Sequence, residues 1–213
     1  MMKASEVDKK PFLWEPGKAL HFADIYSLIC RFHPEGHAVS REIIACIFFE
    51  ESAFCNRKQQ PGPAVGFGQI QIYDTDKIPF FESLGYNTDK QNPNKGQPFL
   101  TYKMVTDSHE LSVQISCKYF QWLVGVKGKS RDGALSAQTG GGGNAKFVPL
   151  FVAGGAKLLQ AITTDWTREA FADALNYARA NGIHGNAIPV RSQYAYTKFW
   201  EFVIPDDYLL LGY

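Results

Sequence analysis

The sequence predicts a mainly α-helical domain. Apolar residues recur at three- and four-residue intervals in six stretches, 19–32, 41–54, 108–124, 147–162, 167–180 and 192–203. Glycine, proline and asparagine gather between these stretches. A single short run, 65–73, has the glycine-rich, β-branched character of a strand or extended loop. With 213 residues and 45% hydrophobic content, the chain can bury a core as one domain, 18–213, behind a polar lead, 1–17.

The first helix, 19–32, carries Leu20, Ile25, Leu28 and Ile29 and stops at His33-Pro34-Glu35-Gly36. Ser40 is the expected N-cap of the second, 41–54, with Glu42 in its first turn. Pro61-Gly62-Pro63 forces a turn ahead of 65–73. Residues 86–98, rich in Asn, Gln, Lys, Gly and Pro, make a polar loop of the kind that lines binding clefts. Leu111, Ile115, Tyr119, Trp122 and Leu123 place a long core helix over 108–124. The segment 127–145, with Gly140 to Gly143 in a row, is expected to be a flexible connection. Helices over 147–162, 167–180 and 192–203 complete the chain, with Gly182 and Gly185 breaking it between the last two.

Composition excludes several functions. Lys+Arg at 22 against Asp+Glu at 21 leaves a net charge of +1, which supplies no field strong enough to argue for nucleic acid or an anionic membrane as partner. Cys30, Cys46, Cys55 and Cys117 show neither the close pairs of a zinc site nor the density of a disulfide framework, so they read as buried thiols. The five histidines have no ligand spacing, so no metal is expected. Gly128-Lys129-Ser130 matches the tail of a phosphate-binding loop, but Leu123 stands where that loop needs glycine. No Gly-x-Ser-x-Gly elbow is present, and no cofactor is expected. Residues 1–16 lack the apolar run of a signal peptide, and no run of transmembrane length is expected elsewhere.

The chemistry concentrates on the second helix. Ile44, Ile47, Phe48 and Glu51 follow i, i+3, i+4, i+7 spacing, which puts Glu51 on the apolar side near the C-terminal end. A carboxyl there is partly desolvated, its pKa rises above the usual value of about 4.3, and it can act as a general acid near neutral pH. Glu50 shares a face with Ile43, Ile47 and Phe54 and is a second candidate for the buried carboxyl.

Glu51-Ser52-Ala53-Phe54, a Pro/Gly-rich connection and then Gly66-Phe67-Gly68-Gln69-Ile70 resemble the signature of the lysozyme-like superfamily of soluble lytic transglycosylases and goose-type lysozymes. Leu111 to Phe120 is similar to the helix that follows the Gln motif in that family. Ala174-Leu175-Asn176-Tyr177 and Asn181-Gly182 are similar to its Ala-Tyr-Asn-x-Gly block, except that Asn does not directly follow Tyr. The resemblance implies an α-helical domain with a cleft, and assigns the acid to Glu51. It implies that Ser52 supports the acid, that Gly66 and Gln69 bring backbone close to the sugar, and that Tyr177 orients acid or substrate. It also implies aspartates near the Gln motif, where this chain has Asp74 and Asp76. An inverting hydrolase needs such a base. A lytic transglycosylase does not, because the sugar's own hydroxyl attacks.

The expected activity is therefore cleavage of the MurNAc–GlcNAc β-1,4 bond, with peptidoglycan glycan strands as partner. A noncatalytic peptidoglycan-binding module and a chitin-directed glycosidase stand as alternatives. The expected site of action is the periplasm or cell wall. Without a signal peptide, delivery would be by phage, by a secretion-machine carrier with an immunity protein as counterpart, or within a larger protein.

Overall fold

A computed structural model of the chain describes residues 16–59, 62–138, 142–183, 188 and 194–211. Within them lie ten α-helices and one two-stranded hairpin. In chain order they are α1 Phe22–Phe32, α2 Arg41–Ser52, β1 Ala64–Val65, β2 Ile70–Gln71, α3 Ile78–Ser83, α4 Tyr102–Asp107 and α5 His109–Gly125. Then come α6 Arg131–Gln138, α7 Val148–Gln160, α8 Arg168–Ala178, α9 Tyr194–Val203 and α10 Asp206–Leu211. The fold is mainly helical, as the spacing of apolar residues predicts.

Helix α2 is its centre. Ser40 Oγ accepts the Ile43 N–H at 3.4 Å and starts the helix. From Glu42 to Glu50 every residue is buried, so α2 has no water-facing side. A helix apolar all round has to be enclosed by other elements. Helices α7 and α8 pack on each other and both on α2, while α1 packs on α2 and α5. Glycines permit the closest approach: a Cβ at Gly155 would lie 2.6 Å from Ile43 Cγ1, and one at Gly154 would lie 3.2 Å from the Ala174 carbonyl. Ile44, Ile47, Phe48 and Phe49 are fully enclosed, and each contributes about 1.5–3 kcal/mol of hydrophobic stabilisation.

The chain reverses as soon as α2 ends. Ala53 and Phe54 both take left-handed φ, 49° and 59°, and the Ala53 N–H closes the helix on the Phe49 carbonyl at 2.8 Å. Extended pairing follows, with the Leu20 N–H on the Phe54 carbonyl at 3.1 Å and the Asn56 N–H on the Lys18 carbonyl at 2.8 Å. Lys58 pairs with Val65, so 57–59 runs alongside the antiparallel β1–β2 hairpin, in which Ala64 faces Gln71 and Val65 faces Ile70.

Boundaries differ from the expected ones for local reasons. Residues 19–20 belong to the extended pairing, so α1 begins at Phe22. The second helix stops at Ser52, two residues early, because the chain turns left-handed there. Residues 131–138 of the expected flexible connection are helical, started by Ser130 Oγ accepting the Gly133 N–H at 3.2 Å and anchored by buried Ala134 and Leu135. Two core residues in eight are too few for a visible period. Residues 1–15 of the expected lead, together with Gly140, Gly141, Gly185 and Ser192, lie outside the described residues. All four cysteines are free thiols, three of them buried and Cys30 half-buried. By length and composition the continuous helical stretch Ala145–Asp165 could cross a bilayer, although no such run was expected; here α7 packs within it on α2 and α8.

Candidate active site

Because α2 is enclosed on all sides, periodicity does not separate its two terminal glutamates. Exposure of the whole residue does in part: Glu50 is 5% exposed, whereas Glu51, in the last turn, is half-buried. Burial pushes the Glu51 carboxyl up to about 7, and the neighbouring Glu50 charge adds to the rise. Burial also raises Glu50 to about 7, opposed by Arg179, whose Nη1 lies 4.0 Å from Glu50 Oε2. Two carboxyls thus titrate near neutral pH at the point where the central helix ends. The fully buried Ser52 hydroxyl donates to the Phe48 carbonyl at 2.8 Å, so it is directed back along the helix.

The turn between β1 and β2 packs one helical turn below that end. The Phe67 ring stacks on Phe48, centroids 6.1 Å apart, and Phe48 precedes Glu51 by three residues. The Phe67 N–H donates to Ser112 Oγ of α5 at 2.9 Å. At Gly66, φ 85°, a Cβ would lie 2.6 Å from Ser112 Oγ, and at Gly68 it would lie 2.7 Å from Ser116 Oγ and 3.1 Å from Phe48. Glycine is therefore required here by packing against α5 and α2, a cause that sequence does not separate from close approach to a ligand. The Gln69 amide nitrogen donates to the Arg57 carbonyl at 3.1 Å and the Gly66 carbonyl at 2.6 Å, bracing its own turn at φ 47°. From α6, Gln138 Nε2 donates to the Gly68 carbonyl at 2.5 Å.

The expected aspartates lie just before α3. Asp74 accepts the Asp76 N–H at 3.1 Å and the Lys77 ammonium at 2.5 Å. Burial raises its pKa, but the Lys77 hydrogen bond and charge, with the Asp76 N–H, outweigh this and bring it below the usual carboxylate value. Asp76 is exposed. Both charges act on Tyr119 of α5, which burial chiefly, and they in addition, push up to about 12. Tyr177 on α8 is half-buried, with Lys157 Nζ 5.3 Å from its ring centroid. Its backbone carbonyl accepts from Asn181 Nδ2 at 2.8 Å.

Two roles escape sequence reasoning. Arg179 reaches Glu50 from 129 positions away, and only the need of a buried acid for a cation hints at it. Asn176, buried, grips Ile188 by both backbone groups, donating to its carbonyl at 3.0 Å and accepting its N–H at 2.9 Å. Among the described residues no three His, Cys, Asp or Glu side chains come together as a metal cage. Comparison with protein-family models, with curated proteins and with solved structures finds no match to this chain.

Proposed function

We propose that the chain is a lysozyme-like muramidase that cleaves the MurNAc–GlcNAc β-1,4 bond of peptidoglycan, with Glu51 as the general acid. One observation carries this reading: Glu51 combines access to solvent with enough burial to hold its carboxyl near pH 7. A glycosidase acid must still own its proton when substrate arrives, and an ordinary glutamate has lost it by pH 7. The Gly66 to Gln69 turn lies against Phe48, one helical turn before Glu51, and this nearness supports the reading.

The other residues take supporting parts. Ser52 stiffens the helix end, Gly66 and Gln69 hold the turn that lines the glycan, and Tyr177 orients substrate or acid. Asp74, kept ionised by Lys77, is the candidate base for hydrolysis, and Asp76 is its exposed neighbour. Such a substrate sets the site of action at the cell wall, and no cofactor enters the chemistry.

Purified peptidoglycan digested with the parent and with Glu51→Gln, with fragments read by mass spectrometry, tests the reading. The parent releases muropeptides and the variant loses at least 100-fold, in line with removal of a general acid, worth about 10²–10⁴. Reducing ends identify hydrolysis with a base, and anhydro ends identify intramolecular attack by the sugar. A variant as active as its parent removes Glu51 as the acid. Binding without cleavage identifies a noncatalytic module, and cleavage of chitin alone a chitin-directed enzyme.

A further inference from the structure

The polar loop 86–98 is held in one shape from within. Buried Asn87 accepts the Asp89 N–H and donates its amide to the Asn92 carbonyl, both at 2.8 Å. Its backbone pairs with the Pro98 carbonyl and the Leu100 N–H, each at 2.9 Å. One asparagine thus fixes both Lys90 in the loop and Phe99 at its exit. Both reach Tyr73, just past β2: Lys90 Nζ lies 4.1 Å from its ring centroid, and the Phe99 ring stacks on it at 5.7 Å.

Tyr73 also meets Tyr102, the first residue of α4, edge to face at 4.8 Å, and Lys58 Nζ lies 5.0 Å from the Tyr102 ring centroid. Helix α4 packs on β1, and buried Asn56 donates its amide to the Val105 and Thr106 carbonyls at 2.9 and 3.1 Å. Lys58, two positions on in the strand, points the same way, and its ammonium is steadied by the Gly62 carbonyl at 2.8 Å. Tyr73, Phe99 and Tyr102 are half-buried, so each keeps part of its ring in water. Neither ammonium meets a carboxylate among the described residues. The acids of the neighbouring elements are engaged elsewhere: Asp74 with Lys77, Asp107 with Lys103, Glu82 with Lys95, and an Asp89 oxygen with the Gln91 N–H. Two cations with spare donors therefore bracket an aromatic surface, and no internal charge answers them.

We propose that Tyr73, Tyr102, Lys58 and Lys90 hold the muramyl unit of the glycan by its acidic substituent, with sugar C–H groups on the tyrosines and a carboxylate between the ammonium groups. This rests on the reading of the chain as a muramidase and gives it a means of selection. A pyranose presents weakly positive C–H groups on one face, which suit the negative face of a tyrosine ring, while its hydroxyls stay in water at the edge. In the free protein Lys90 sits on the Tyr73 ring; a carboxylate draws the ammonium aside and clears the ring for sugar. Chitin offers the same ring without the acid, so the two lysines tell the glycans apart. The acid has two sources, the lactyl group itself in strands stripped of peptide and the peptide's own carboxylates in strands that carry one.

The test compares three probes by calorimetry on the parent protein: chitobiose, the disaccharide GlcNAc–MurNAc, and the same disaccharide with alanyl-glutamate on its lactyl group. None contains the MurNAc–GlcNAc bond, so binding is read without cleavage. At about 0.01 M salt at least one acidic probe binds about four- to twentyfold more tightly than chitobiose, each lysine contributing about two- to fivefold, the range of a solvent-exposed ion pair. The margin narrows at about 1 M salt, and whichever acidic probe is preferred names the source of the acid. Replacing both lysines, Lys58→Gln with Lys90→Gln, removes the preference and leaves chitobiose unchanged. Lys90→Gln alone, at an exposed position, lowers it about two- to fivefold and serves should the double variant not fold. Tyr102→Leu weakens all three probes alike. A preference under about twofold in the parent, one that survives loss of both lysines, or affinities unmoved by Tyr102→Leu overturns the proposal. Digestion by Glu51→Gln judges the muramidase reading, and the affinities judge this site whichever way that falls.

Discussion

Alanine substitution at three glycines separates backbone strain from crowding around the hairpin. Gly85 has φ 84° and nothing within 4 Å of a built Cβ, so Gly85→Ala measures the left-handed penalty alone, roughly 1–2 kcal/mol. Gly68 has ordinary φ, but its Cβ would come within 2.7 Å of Ser116 Oγ and 3.1 Å of Phe48, so Gly68→Ala measures crowding, about 1–3 kcal/mol. Gly66 combines both, with φ 85° and a contact of 2.6 Å to Ser112 Oγ, which sums to roughly 2–5 kcal/mol. Ser112 cannot simply rotate away, because its Oγ accepts the Phe67 N–H at 2.9 Å, and losing that bond leaves a buried donor at about 1–3 kcal/mol more. Urea denaturation at constant pH reads all three, and by thermal melting each kcal/mol corresponds to roughly 2–4 °C at this chain length. Gly66→Ala is expected to be the most destabilising. If it melts no lower than Gly85→Ala, the hairpin does not rest on α5 as described.

The same contacts fix four further outcomes. Glu50 and Glu51 hold their protons up to about pH 7 when folded and only to about 4.5 when unfolded. The folded form thus carries more protons in that window, and stability falls by about 1–3 kcal/mol per carboxyl as pH rises through it. Calorimetry of Glu50→Gln should show this fall reduced. His33, buried with Nε2 2.7 Å from the Val39 carbonyl, is lowered to about 4, chiefly by desolvation, so its contribution has the opposite sign: stability is lost as pH drops from 6.5 towards 4, and His33→Gln should flatten that acid limb. Asn176→Ala strips both backbone groups of Ile188 of a partner, although Trp200 Nε1 still donates to its carbonyl at 3.2 Å; chemical denaturation should register a loss of about 1–3 kcal/mol. Asp74→Asn keeps a cap oxygen for the Asp76 N–H while removing the charge; unchanged melting with activity down at least tenfold would mark Asp74 as a base, and unchanged activity would mark it as a cap.

The long elements are legible in sequence because periodicity needs length. Helices α5, α7 and α8 each repeat their apolar face over three or more turns, and Ser40, Ser108 and Thr167 cap α2, α5 and α8 with their side chains. The four short helices α3, α4, α6 and α10 offer at most two turns, so their apolar residues look like loop. At the site, the Glu51-Ser52 and Gly66-to-Gln69 blocks stand out by composition, and the structure brings the second against Phe48. The charge logic is different. Glu50 meets Arg179 across the fold, and no local pattern encodes an ion pair between residues so distant in sequence.

Enclosure of α2 also accounts for where its chemistry can sit. With every position from Glu42 to Glu50 buried, a polar group in the body of the helix must be paired inside the protein, as Glu42 is with Tyr26. Only the exit turn can hold a titrating group in contact with water. There the chain takes left-handed φ at Ala53 and Phe54, conformations that side chains resist by about 1–3 kcal/mol. Glycine at 54 would remove strain but also the ring that packs 5.4 Å from Phe49 and 6.3 Å from Phe22. The abrupt reversal is therefore secured by core aromatics, and its result is to cut the helix off one residue after Glu51. A helix continuing through 54 would carry both glutamates within its enclosed body, where neither could exchange a proton with solvent.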